Sequence, residues 1–139
     1  MRDFHLPGRS AVFATNGMVA TSHPLAAATA IDILKAGGNA ADAAIAAAVL
    51  LGICEPQMTG IGGDMFALIQ KDPTANVVAL NGSGRAPVAA NAAALRDAGH
   101  GTVPLHSVDA VTIPGAIDGF CTLVKDFAAL PLKDTLAPA

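Results

Sequence analysis

The chain has 139 residues, a net charge of −3 and only 14% charged residues, which suits one domain and leaves no basic patch for nucleic acid. Apolar residues reach 53%, yet aromatics are 4% with no Trp or Tyr, so base-stacking platforms are also excluded. The apolar content is mostly Ala with Val, Ile and Leu, which favours close backbone packing over large buried side chains.

Residues 1–16 read as irregular, with Pro7 and Gly8 as breakers. The opening "MRDFHLPGRSAVFATNG" carries no apolar run of the signal-peptide kind. The longest apolar run, Ala43 to Leu51, is far short of the ~20 residues a membrane span needs. A soluble, cytoplasmic protein with no membrane partner is the expectation. Gly17 to Thr21 reads as a short strand. "SHPLAAATAIDILKAGG" then carries helix signals at both ends. Ser22 is the expected N-cap, Pro24 suits the first turn, and Gly37-Gly38 stop the helix, Gly37 with positive φ.

Asn39 caps the next helix, with Asp42 at the third helical position as a variant capping box. From Ala40 to Ile53 nearly every residue is apolar, so this helix is expected to be buried on all faces. Pro56 ends it. After "TGIGGD", Met65–Gln70 and Val77–Asn81 read as a β-hairpin across the turn "KDPTAN". A short helix is expected over about 91–98. Val111–Ile113 reads as a strand, Pro114-Gly115 as a turn, and about 117–128 as a helix. "LPLKDTLAPA" looks like the start of a further helix, as though the chain stopped inside a larger protein.

The glycine loop Gly60-Ile61-Gly62-Gly63 resembles a phosphate cradle only superficially. Phosphate loops run strand, loop, helix and need a Lys and Ser/Thr; here a helix precedes, a strand follows, and Asp64 would repel phosphate. Nucleotide binding is therefore not expected, and the glycines read as a tight turn allowing positive φ and close approach. Cys54 and Cys121 have no zinc or redox spacing and read as reduced core thiols. His23 reads as a helix-start or core residue. His5, His100 and His106 lie in loops, no metal site is expected, and spacing alone does not bring Asp32, Asp42 and Asp64 together. No Ser or Thr stands beside an evident base. Arg85, in "NGSGRAP", has two local readings: a surface or salt-bridge arginine, or a bidentate grip on a small anion such as a carboxylate.

The stretch from "GMVATSHPLAAATAIDILKAGGNAADAAIAAAVLLGICEPQMTGIGGDMFALI" resembles the opening of the γ-glutamyltranspeptidase family. "VTIPGAIDGF" is similar to a later Val-Pro-Gly segment, and "LPLKDTLAPA" to the helix after it. The resemblance implies an α/β (α+β) fold, part of an N-terminal nucleophile hydrolase αββα sandwich, with residues 1–139 as an N-terminal portion of the large subunit. It implies a precursor that cuts itself, and a new N-terminal Thr that attacks a γ-glutamyl amide to form an acyl-enzyme. That Thr lies downstream of this chain, so no catalytic residue is carried over and the chain alone is expected to be inactive and marginally stable. No cofactor and no metal are implied. The implied partners are a small-molecule γ-glutamyl or acyl-amide substrate and the remaining large-subunit and small-subunit segments.

The family's large subunit supplies an Arg to the substrate carboxylate in an Arg-x-x-Ala-Pro context. Aligned on Ala86-Pro87, Ser83 takes that place and Arg85 sits two residues later. Arg85 is the one substrate-binding candidate. The departure also admits an acylase-like relative, of the cephalosporin acylase kind, or a non-catalytic structural or binding module.

Overall fold

The computed structural model describes residues 10–139. The irregular start with Pro7 and Gly8, and His5, lie outside them. Five helices and one hairpin follow in the order α1 (Pro24–Lys35), α2 (Ala40–Cys54), β1 (Met65–Ile69), β2 (Val78–Gly82), α3 (Ala92–Asp97), α4 (Ala116–Phe127) and α5 (Leu132–Leu136). A 3₁₀ turn at Val108–Ala110 precedes α4.

The core lies between α1 and α2. Ala26, Ala30 and Ile33 pack on Ala43, Ala46 and Ala47, with Val19, Leu34, Leu51 and Leu130 closing the edges. Alanines on both helices let the two backbones approach, as the composition implied. Gly37 stops α1 with φ 95°, as expected. The cap of α1 differs from expectation. His23, in extended conformation, is the N-cap, and its Nδ1 accepts from the Leu25 N–H at 3.2 Å. Ser22 instead donates to Glu55 Oε2 at 2.7 Å, joining the start of α1 to the end of α2.

The capping box of α2 forms. Asn39 Oδ1 accepts from the Ala41 and Asp42 N–H groups, and Asp42 Oδ2 accepts from Asn39 N–H at 2.8 Å. Asp42 is fully buried and reaches further than its own helix. It also accepts from Ala129 N–H (3.0 Å), Leu130 N–H (3.3 Å) and Thr135 Oγ1 (3.3 Å). Asn39 Nδ2 donates to the Phe127 carbonyl at 2.6 Å. One capping box therefore clasps the α4–α5 connection onto the start of α2. Burial on all faces of α2 is not seen. Ala43, Ile45, Ala46 and Ala47 are buried, but Val49 to Leu51 are half-buried and Ile53 is 66% exposed. Its described neighbours, α1, α4 and α5, cover its first half and leave the second partly open.

The hairpin forms as expected, antiparallel, with Met65 opposite Gly82 and Ile69 opposite Val78. Met65, Ala67 and Ile69 are half-buried, while Phe66 and Leu68 on the other face are 65% and 78% exposed. Among the described residues one sheet face thus carries helices and the other is bare. The expected strands at Gly17–Thr21 and Val111–Ile113 do not form. Among the described residues the sheet has two strands. Thr112 and Ile113 make single cross-links rather than a ladder: Thr112 Oγ1 donates to the Ser83 carbonyl (3.2 Å) and Ile113 N–H to the Arg85 carbonyl (2.9 Å). Cys54 is half-buried and Cys121 is exposed on α4, so the reading of two core thiols is corrected at Cys121. No helix among the described residues is long and apolar enough to cross a membrane.

Candidate functional site

The glycine loop is a tie between elements. The Gly63 carbonyl accepts from the Gly115 and Ala116 N–H groups at 3.0 and 3.1 Å, which holds the start of α4 against the turn before β1. None of Gly60, Gly62 and Gly63 has positive φ, so that part of the expectation is corrected. Close approach does hold: a Cβ on Gly52 would stand 3.5 Å from Gly60 Cα. Between α2, this loop, β1 and α4 lies an apolar cavity of about 260 Å³, with Ile45, Val49, Met65 and Leu123 in its wall.

A second, more polar groove of about 420 Å³ opens where β2 ends. Asn81 to Arg85 form one wall, and Ile113 to Gly115 with Asp118 form the other. Two glycines make this possible. Gly84 takes φ 75°, a region that L side chains rarely adopt, and a Cβ there would collide with the Ile113 carbonyl oxygen. A Cβ on Gly115 would collide with the Gly82 carbonyl oxygen. With the Thr112–Ser83 and Ile113–Arg85 bonds, these contacts clamp the 83–85 loop to the approach to α4.

Arg85 and Ser83 both line this groove. Ser83 Oγ turns back to the Gly84 carbonyl at 3.4 Å. Arg85 is exposed, and its guanidinium makes no ion pair among the described residues. Asp118, at the third position of α4, was not singled out by sequence. It is exposed, and among the described residues no side-chain hydrogen bond or ion pair occupies it. Its signal was the same helix-start spacing that marked Asp42, but the groove it lines joins segments some 30 residues apart in sequence. His23 is spent as a cap, and His100 and His106 are exposed in loops. Asp32 pairs with Lys35 at 3.8 Å, Asp42 is enclosed, and Asp64 is exposed in the glycine loop. Among the described residues no group of three His, Cys, Asp or Glu side chains is placed to hold a metal ion.

The likeness of this helix-covered hairpin to solved structures makes the chain part of a sandwich of the N-terminal nucleophile hydrolase kind. The sequence pattern described as Gamma-glutamyltranspeptidase matches residues 26–139, and the chain belongs to that family. It is 40% identical over 131 residues to the glutathione hydrolase-like YwrD proenzyme of Bacillus subtilis, covering 92% of this chain and 24% of that protein. It is similar to the crystal structure of cephalosporin acylase from Bacillus halodurans, with TM-score 0.84 and 47% identity over 98% of this chain and 25% of the other. The Helicobacter pylori gamma-glutamyltranspeptidase structure matches with TM-score 0.81 and 32% identity, over 94% of this chain and 38% of that one. The chain spans about a quarter of the length of the curated relatives it matches.

Proposed function

We propose that this chain is the opening part of the large subunit of an amide-cleaving enzyme of the γ-glutamyltranspeptidase type, and that its groove holds the acyl donor. The observation that carries this is the clamped groove with Arg85 in its wall, reaching solvent beside an ordered helix start. A guanidinium there grips a carboxylate through two parallel N–H···O bonds. Holding the donor at its carboxylate end places the amide for attack by a nucleophile from another segment of the precursor. The nucleophile's oxygen adds to the amide carbon, the C–N bond breaks, and the amine leaves with the proton the nucleophile gave up. Water or an acceptor amine then cleaves the resulting ester and frees the nucleophile. A glutathione-type γ-glutamyl amide is the donor this reading favours. Maturation by self-cleavage belongs to the same reading, supported by relatives described as proenzymes. So does a cytoplasmic location, supported by the two free thiols Cys54 and Cys121.

One observation favours a second donor class. Ser83 stands where the family's carboxylate-binding Arg is expected, and a cephalosporin acylase is among the similar structures. A donor with a differently placed carboxylate suits an arginine shifted by two residues. Both readings share one test. In the enzyme carrying this chain, Arg85→Ala raises the KM for a γ-glutamyl or glutaryl anilide by about tenfold to a hundredfold, the value of a charge-assisted hydrogen bond. An unchanged KM for both removes Arg85 from the site. The 139-residue chain by itself turns over neither anilide.

A further inference from the structure

Met65 opens β1 opposite Gly82, the last residue of β2, and its side chain also meets α4. A Cβ on Gly119, buried in α4, would stand 2.5 Å from Met65 Sδ and 2.6 Å from its Cγ. A Cβ on Gly82 would stand 3.1 Å from Cγ and 3.2 Å from Sδ. Neither glycine has positive φ, so the backbone conformation requires neither. Glycine inside a helix is unfavourable, and at Gly119 the return is the room it leaves for the thioether. The unbranched Met chain lies in a slot bounded by two glycines, a shape that suits it and not a branched side chain. That slot joins the two walls of the groove. Gly82 lines the groove from the hairpin, and Gly119 follows Asp118, which lines it from α4. Met65 itself is not in the groove wall; it lines the apolar cavity. Its side chain is the spacer between the hairpin's end and the start of α4.

We infer that Met65 is a positioning residue: its thioether sets the separation of the two groove walls, and so the fit of the donor between them, without touching the donor. The inference rests on the reading of this groove as the acyl-donor site. Met65 acts through Gly82 and Gly119, which carry the spacing to the 83–85 loop and to the start of α4.

The test is made in the enzyme carrying this chain, with γ-glutamyl and glutaryl anilides and with hydrogen exchange at residues 113–119. Gly119→Ala drives a methyl group onto Met65 and spreads the walls. It raises the KM for the anilide that the wild type cleaves by about tenfold or more, the scale of a misplacement of about 1 Å, with kcat little changed. The Gly115 and Ala116 N–H groups, held by the Gly63 carbonyl, exchange faster in the same variant. Met65→Ala added to Gly119→Ala makes room for the methyl and recovers most of both losses. Met65→Leu conserves volume, and so most of the stability, but its branch does not fit the slot, and KM rises in the same direction by less. Where Gly119→Ala fails to fold, Met65→Leu decides by the same readouts. An unchanged KM in these variants, or a rise that Met65→Ala does not relieve, overturns the inference. So does a lower unfolding midpoint in Gly119→Ala with KM and exchange unchanged, which makes Met65 a packing residue only. A wild type that cleaves neither anilide overturns the acyl-donor reading, a separate result, and the exchange of Gly115 and Ala116 then decides the spacing by itself.

Discussion

Asp42 and Asp118 both stand third in a helix, and their surroundings could hardly differ more. Asp42 is enclosed where α2 meets the α4–α5 connection, and its two oxygens accept from Asn39, Ala129, Leu130 and Thr135. Asp118 lines an open groove with no partner among the described residues. The helical half of the chain spends its polar groups on itself, and none of its buried side-chain polar atoms lacks a partner among the described residues. The hairpin half spends backbone bonds on clamping loops and leaves the Arg85 side chain in the groove wall without an ion pair among the described residues. Unspent charge on a clamped wall is what recognition requires, because the groups are held in place without being neutralised.

The largest expected effect breaks the helical side of this contrast. Asp42→Ala strands the Ala129 and Leu130 N–H groups and the Thr135 hydroxyl, and costs about 3 kcal/mol or more at 1–3 kcal/mol per unsatisfied buried group. Guanidinium unfolding followed by circular dichroism reads this as a lower midpoint. A midpoint unchanged from wild type would show that the clasp contributes nothing. Gly84→Ala comes next. It forces a Cβ into the left-handed region and against the Ile113 carbonyl, at a cost of about 2 kcal/mol. It also unclamps the groove, so the KM for the donor rises in the same variant. Stability lost with KM unchanged would separate the clamp from the site.

Arg85→Ala sharpens the contrast from the other side. An exposed side chain with no ion pair among the described residues changes the unfolding free energy by less than about 0.5 kcal/mol. A destabilisation comparable to that of Asp42→Ala would make Arg85 a structural residue. The smallest effect lies in the hairpin turn. The Thr74 hydroxyl, then the Thr74 N–H, hold the Asp72 carboxyl below the usual carboxylate range. A lowered folded pKa means a contribution present above the unfolded value and lost as pH falls through the folded one. Asp72 is fully exposed, so the effect is local. An NMR titration of its side chain shows a midpoint below that of a model peptide, and Thr74→Ala returns it toward the ordinary value.

Much of the chain was legible in one dimension because it is written in local chemistry. Gly37 after "ILKA", the "NAAD" capping box and the alternating hairpin each depend on neighbours within a few residues, and each appears as read. The family was legible for another reason: its signature fills the chain from Gly17 onward. Misreadings arose where a local signal met a distant competitor. Ser22 gave its hydroxyl to Glu55, 33 residues away, and left the cap to His23. The 111–113 segment has strand composition, but its partners are single carbonyls of a turning loop, so no ladder forms.

The sequence by itself determined the helices, the hairpin, the family and the candidate Arg85. Only the tertiary structure decided what Asp42 and Asp118 do. Their helical positions are the same, and what differs is which distant segment arrives beside each. At Asp42 the α4–α5 connection brings backbone donors and closes out water. At Asp118 the Gly84 loop brings Arg85 to the same open groove of about 420 Å³, and no donor closes on the carboxylate among the described residues. Capping chemistry is set within one turn of helix, whereas desolvation and pairing depend on contacts between segments far apart in the chain.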